Sequence, residues 1–124
     1  MFCRIYIKGK NVNEIDLLIS ISNVLKGKLV KNQYIEKTGY SIEIRTNDEF
    51  DFYKAQNFPD GFLFFPYSIE IDIIEDIKME DVVNEISKIL NFFWQNSFTA
   101  IASCDFENLL PEKGGYKSKK IPWF

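Results

Sequence analysis

The chain has 124 residues, 46% hydrophobic, 16% aromatic and 27% charged, with a formal net charge of −3; this suits one folded domain with one core and excludes global disorder. Apolar runs are only a few residues long, as in Phe62-Leu63-Phe64-Phe65, so no transmembrane helix is expected. There is no histidine, which removes Ser-His-Asp and Cys-His catalysis and histidine-bearing metal sites.

In chain order, Phe2 to Lys8 is rich in β-branched and aromatic residues and stops at Gly9, which predicts a strand. Arg4, Lys8 and Lys10 follow the start too closely for a secretory leader, so the cytoplasm, with reduced thiols, is the expected compartment. Asn13 is a candidate N-cap with Glu14 and Asp16 in the first turn. Leu17, Leu18, Ile21, Val24 and Leu25 follow at helical spacing and Gly27 is the stop signal, predicting a helix over roughly residues 13–26. Strands are predicted over Leu29–Glu36 and Tyr40–Arg45, joined by a turn at Thr38-Gly39. Residues 47–61 carry no regular pattern. Phe50, Phe52 and Tyr53 are expected to pack down onto the core, and Pro59-Asp60-Gly61 marks a turn.

Gly61 to Glu75 reads as extended, interrupted at Pro66, with Ile69, Ile71 and Ile73 alternating with Glu70 and Asp72. A second helix starts at Glu80-Asp81, with Val82, Val83, Ile86, Ile89, Leu90 and Phe93 on one face. Phe98–Cys104 is a final strand. The tail from Leu109 holds Gly114-Gly115 and ends in Ile121-Pro122-Trp123-Phe124. Residues 113–124 are expected to be loop, with terminal aromatics available to pin it. The order predicts a single α+β domain spanning 1–124. The expected plan is ferredoxin-like: a mainly antiparallel four- or five-stranded sheet, five preferred, with two helices on one face.

Chemistry-bearing clusters are sparse. Cys3 and Cys104 would approach each other if the first and last strands are antiparallel neighbours. A redox switch is the functional reading, but packing as small hydrophobes is preferred. Asp105, Glu107 and Glu112 offer carboxylates for a small enzyme, yet residues just after a strand usually cap or solvate, and no catalytic residue, metal or cofactor is assigned. Gly114-Gly115-Tyr116-Lys117-Ser118 lacks the strand-loop-helix setting of a phosphate loop, so a flexible tail is the better reading.

Charge is unevenly spread. Residues 1–46 carry eight basic and four acidic side chains, 47–112 three and fourteen, and 113–124 four Lys with no acid. The acidic middle disfavours direct nucleic-acid contact and favours a basic protein partner. The lysines and aromatics of the tail leave RNA contact as a minority reading. Seven carboxylates crowd positions 70–85: Glu70, Asp72, Glu75, Asp76, Glu80, Asp81 and Glu85. A wet strand face and a dipole-favoured helix start explain some of them. Glu70, Asp72, Glu75 and Asp76 are the candidate partner-binding acids, and Tyr67, Tyr53 and Trp94 the candidate aromatic anchors.

The segment Ala102-Ser103-Cys104-Asp105-Phe106-Glu107-Asn108-Leu109-Leu110-Pro111, followed by Gly114-Gly115-Tyr116, resembles the C-terminal stretch of small bacterial immunity-type proteins. Phe64-Phe65-Pro66-Tyr67-Ser68-Ile69-Glu70-Ile71 before a helix fits the same picture. The resemblance, over the second half of the chain, implies a cytoplasmic, non-enzymatic inhibitor of a cognate polymorphic or contact-dependent growth-inhibition toxin. No cofactor and no membrane contact are expected. A nuclease, itself basic, is the natural complement to the acidic segment. The alternatives are a carboxylate-dependent enzyme and a regulatory protein-binding subunit.

Overall fold

A computed structural model describes residues 1–73 and 76–123. Among these, the order is β1 (Phe2–Lys8), α1 (Glu14–Leu25), β2 (Lys28–Val30), β3 (Tyr34–Lys37), β4 (Tyr40–Thr46), β5 (Tyr67–Ile73), α2 (Met79–Gln95) and β6 (Thr99–Ser103). The strands form one antiparallel sheet in the order β2-β3-β4-β5-β1-β6.

The α+β class and the antiparallel sheet are as expected, but the ferredoxin-like plan with four or five strands is corrected to an open six-stranded sheet. The difference arises at Leu29–Glu36, which is two strands. Lys31 (φ 52°) and Asn32 (φ 55°) both lie in the left-handed region, and the Gln33 N–H donates to the Val30 carbonyl at 2.9 Å. Two consecutive positive φ values make a tight hairpin turn whose twist matches the flanking strands. No glycine advertises it.

Helix α1 starts as its sequence predicts: the Asn13 side chain accepts from the Asp16 N–H at 3.1 Å. Its left-handed terminal residue is Lys26 (φ 57°) rather than Gly27. Gly27 serves another purpose, since a Cβ there would stand 2.7 Å from Ile35 Cγ2. Both helices pack on one face of the sheet. Leu17, Leu18, Ile21 and Leu25 of α1 and Val82, Ile86, Ile89, Leu90 and Phe93 of α2 bury against Cys3, Ile5, Ile7, Ile35, Ile42, Ile69, Ile71 and Ile73. This is the main core, built from the odd-numbered residues of β1 and β5.

A second, smaller core lies on the other face, over β1 and β6. Ala55, Phe62, Phe65, Ile101 and Ile121 are buried there, with Tyr6, Tyr116 and Trp123 packed around them. Residues 113–123 are therefore not a loose tail. Trp123 meets Phe65 and Phe58 at 5.4 and 5.2 Å between ring centroids, and Tyr116 donates to Asp60 Oδ1 at 2.6 Å. Gly114 and Gly115 are likewise not a flexible link. Both are buried with positive φ (79° and 95°), and a Cβ on either would meet the carbonyl oxygen of Ala102 or Ala100 at about 3 Å. The glycines let the chain lie against the outer edge of β6, where the Trp94 indole N–H also donates to the Ala100 carbonyl at 3.0 Å. An edge strand covered in this way cannot recruit another strand.

Candidate partner-binding surface

The helix-free face of the sheet is polar over β5, β4 and β3. Register places Arg4, Glu70, Glu43 and Tyr34 in one row and Phe2, Asp72, Ser41 and Glu36 in the next. Glu70 and Glu43 oppose each other directly, a repulsive arrangement on its own. Arg4 offsets it from one side, its Nε donating to Glu70 Oε2 at 3.0 Å. Arg45 offsets it from the other, its Nε donating to Glu43 Oε1 at 2.7 Å.

Glu70 is thus engaged inside the chain. The face assignment from alternation holds for Glu70 and Asp72, but only Asp72 is exposed. Asp76 is exposed in the connection to α2, and Glu75 lies outside the described residues. Further on, Glu85 pairs with Lys37, so the acidic segment offers fewer unpaired carboxylates than its sequence suggests.

The anchors also separate. Tyr67 stands on the helix side with Ile69 and Ile71, partly buried against the main core. Trp94 is half-buried between the two cores with its N–H engaged at Ala100, so it supports the fold. Tyr53 differs: it is 81% exposed.

Tyr53 belongs to a lobe formed by residues 47–66 between β4 and β5. Asn47 closes its base. Its N–H donates to the Pro66 carbonyl at 2.8 Å, and its Nδ2 donates to the Leu63 and Phe65 carbonyls at 2.9 and 2.8 Å. Asp51 Oδ1 accepts from the Tyr53 and Lys54 N–H groups, both at 3.0 Å, and starts a 3-10 turn at Lys54–Gln56. Gly61 is buried because its Cα approaches the Lys54 and Ala55 carbonyls, where a Cβ would clash at 2.5 and 3.0 Å. Ala55, Phe62 and Phe65 root the lobe in the second core.

This rooting leaves the other large side chains outside. Phe50, Phe52, Tyr53, Phe58 and Leu63 are all exposed, which corrects the expectation that Phe50, Phe52 and Tyr53 pack inward. Phe52 and Tyr53 meet edge to face at 5.5 Å. The lobe's hydrogen bonds hold these side chains on a defined backbone, and Asp48 and Glu49 stand exposed beside them. The warning in the sequence is that the aromatics of 50–58 fit neither a two-residue nor a helical period, so no single face can bury them all.

Between the lobe and β6 runs a groove of about 270 Å3, lined by Asp60, Phe62, Leu63, Ser103, Glu107 and Tyr116 among others. Two carboxylates at an aromatic-walled groove suit a guanidinium or ammonium group. The three carboxylates that follow β6 do not converge on one point. Glu107 also accepts from the Cys104 N–H at 3.3 Å, Glu112 accepts from Ser118 Oγ at 3.0 Å, and Asp105 is exposed. Among the described residues no group of three or more His, Cys, Asp or Glu could hold a metal ion, and no helix is long and apolar enough to cross a membrane. No protein-family model matches the chain, and no curated protein or solved structure matches it either.

Proposed function

We propose that this chain is an immunity-type protein that binds a basic toxin domain, a nuclease, in the cytoplasm and blocks it by direct contact. The observation that carries the reading is the lobe: Phe50, Phe52, Tyr53, Phe58 and Leu63 are exposed on a hydrogen-bonded scaffold beside an acid-lined groove. Aromatic side chains on a fixed backbone lose little conformational entropy when bound and supply most of the energy at protein interfaces. Carboxylates next to them steer and pair with Lys and Arg, the residues a nuclease uses on phosphates. The likeness of Ala102–Pro111 and Phe64–Ile71 to immunity-type proteins agrees with this chemistry.

The test is a pull-down of the tagged protein from its native host, with mass spectrometry of what accompanies it. One basic polypeptide at equal stoichiometry is expected, toxic when expressed alone and harmless when co-expressed with this chain. Replacing Phe52 and Tyr53 together by Ala should cut its recovery at least about tenfold, the loss of two hot-spot side chains. Recovery of no protein while the toxin is expressed, or undiminished recovery by the double variant, would sink the reading.

A further inference from the structure

The pairing of β1 with β6 ends with Arg4 opposite Ser103, and one further step of that antiparallel register, just past the last residue of β6, would set Cys3 opposite Cys104. Directly opposed residues in such a pair have Cα atoms about 4.5–5.5 Å apart, inside the range of about 4.4–6.8 Å that a disulfide spans. Both thiols are free, and each is near enough to be the largest influence on the other's acidity.

We propose that Cys104 and Cys3 form a thiol-disulfide redox site, in which Cys104 attacks a low-molecular-weight disulfide and Cys3 resolves the adduct.

The two sulfurs are not equivalent, and the asymmetry assigns the roles. Cys3 is fully buried and Cys104 half-buried at the turn after β6, so an external reagent reaches Cys104 first. The Cys104 sulfur lies beside the Cys3 thiol and the Phe106 N–H. These neighbours stabilise its thiolate and hold its pKa below the ordinary value, against the opposing effects of burial and of the Glu107 and Asp105 carboxylates. The Cys3 thiol is pushed the other way, by the neighbouring Cys104, by burial and by the charge of Glu107.

In the first step the Cys104 thiolate attacks one sulfur of the small disulfide. The S–S bond breaks and one small thiolate leaves, taking a proton from solvent. Cys104 is then neutral, so the charge that held the proton on Cys3 is gone. In the second step Cys3 gives up its proton and attacks Cys104 Sγ, expelling the second small thiol. Two protein thiols are oxidised to one disulfide, and one small disulfide is reduced to two thiols. The bond closes the start of β1 onto the turn carrying Glu107, which lines the groove beside the lobe.

The experiment treats the folded, full-length protein with oxidised glutathione and follows intact mass and free thiols with time. The wild type should lose both free thiols, with the mass of two hydrogens lost and no glutathione retained. Cys3→Ser should retain one glutathione on Cys104, and Cys104→Ser should react at least tenfold more slowly at Cys3. Stable glutathionylation of the wild type, disulfide-linked dimers, or both thiols surviving in folded protein would each overturn the proposal. The wild-type time course stands even if a variant misfolds.

Discussion

Lys37 joins three elements that are distant in sequence. Its ammonium donates to the Leu25 carbonyl at 2.8 Å and pairs with Glu85 of α2. Helix α1 has no basic residue in its last turn, so Lys37 supplies from β3 the positive charge that the helix C-terminus favours. Around Glu85 two effects compete. Burial raises the carboxyl pKa, while the hydrogen bond from Lys37 and the charges of Lys37 and Lys88 lower it and prevail, leaving it below the ordinary value. A carboxyl depressed in the folded state binds fewer protons there than in the unfolded chain. Its stabilisation is therefore complete above the ordinary glutamate value of about 4.3 and is lost as pH falls through the folded value. Replacing Glu85 by Gln should cost about 1–2 kcal/mol at neutral pH, a partly exposed ion pair being worth less than a buried one. It should also flatten the acid limb of stability. Urea unfolding of both proteins across pH 3–7 reads this directly, and parallel acid limbs would show that Glu85 does not carry the effect.

At the scale of elements, the Gly114-Gly115 turn covers the outer edge of β6. Gly115→Ala should destabilise by roughly 2–3 kcal/mol, because φ of 95° strains any side chain and the new Cβ would stand 2.9 Å from both the Ala100 carbonyl and Ile121 Cδ1. Light scattering during partial unfolding should rise earlier than in the wild type as the edge opens, whereas an unchanged denaturation midpoint would remove the glycine from this role. The sequence shows two glycines in this turn but not what they lie against, since the contact is with a strand ten residues or more upstream. Elements with a clean period were legible. Both helices appear near their expected bounds, as do β1, β4 and β6, and alternation placed Glu70 and Asp72 away from Ile69 and Ile71. What escaped depends on contacts between distant segments. The Lys31-Asn32 turn carries no glycine, the pairing of Glu70 with Arg4 needs the β1-β5 register, and the outward aromatics of the lobe need the second core. The Cys3–Cys104 approach was legible only conditionally, because it follows once β1 and β6 are neighbours.

Across the whole molecule, two pairs of exposed acids stand towards opposite ends of β5. Asp48 and Glu49 stand on the lobe, near the Tyr67 end of β5. Asp72 and Asp76 lie towards its other end, about 17 Å along the strand at 3.4 Å per residue. Between them Glu70 and Glu43 are neutralised by Arg4 and Arg45. A separation beyond one Debye length, about 8 Å at physiological ionic strength, lets the two groups act independently on an approaching partner. Charge and aromatic residues then govern different kinetic steps. Steering acts before contact, so reversing Asp48 and Glu49 to Lys should slow association with the basic partner about tenfold at low salt and change dissociation little. Anchors act after contact, so Phe52→Ala with Tyr53→Ala should speed dissociation and leave association nearly unchanged. Surface plasmon resonance at two ionic strengths separates the four rate effects. Reversing Asp72 and Asp76 alone distinguishes the ends: a loss confined to Asp48 and Glu49 places the interface on the lobe. An equal loss from Asp72 and Asp76 means the partner spans the sheet face, and a loss from Asp72 and Asp76 only would remove the lobe from the interface.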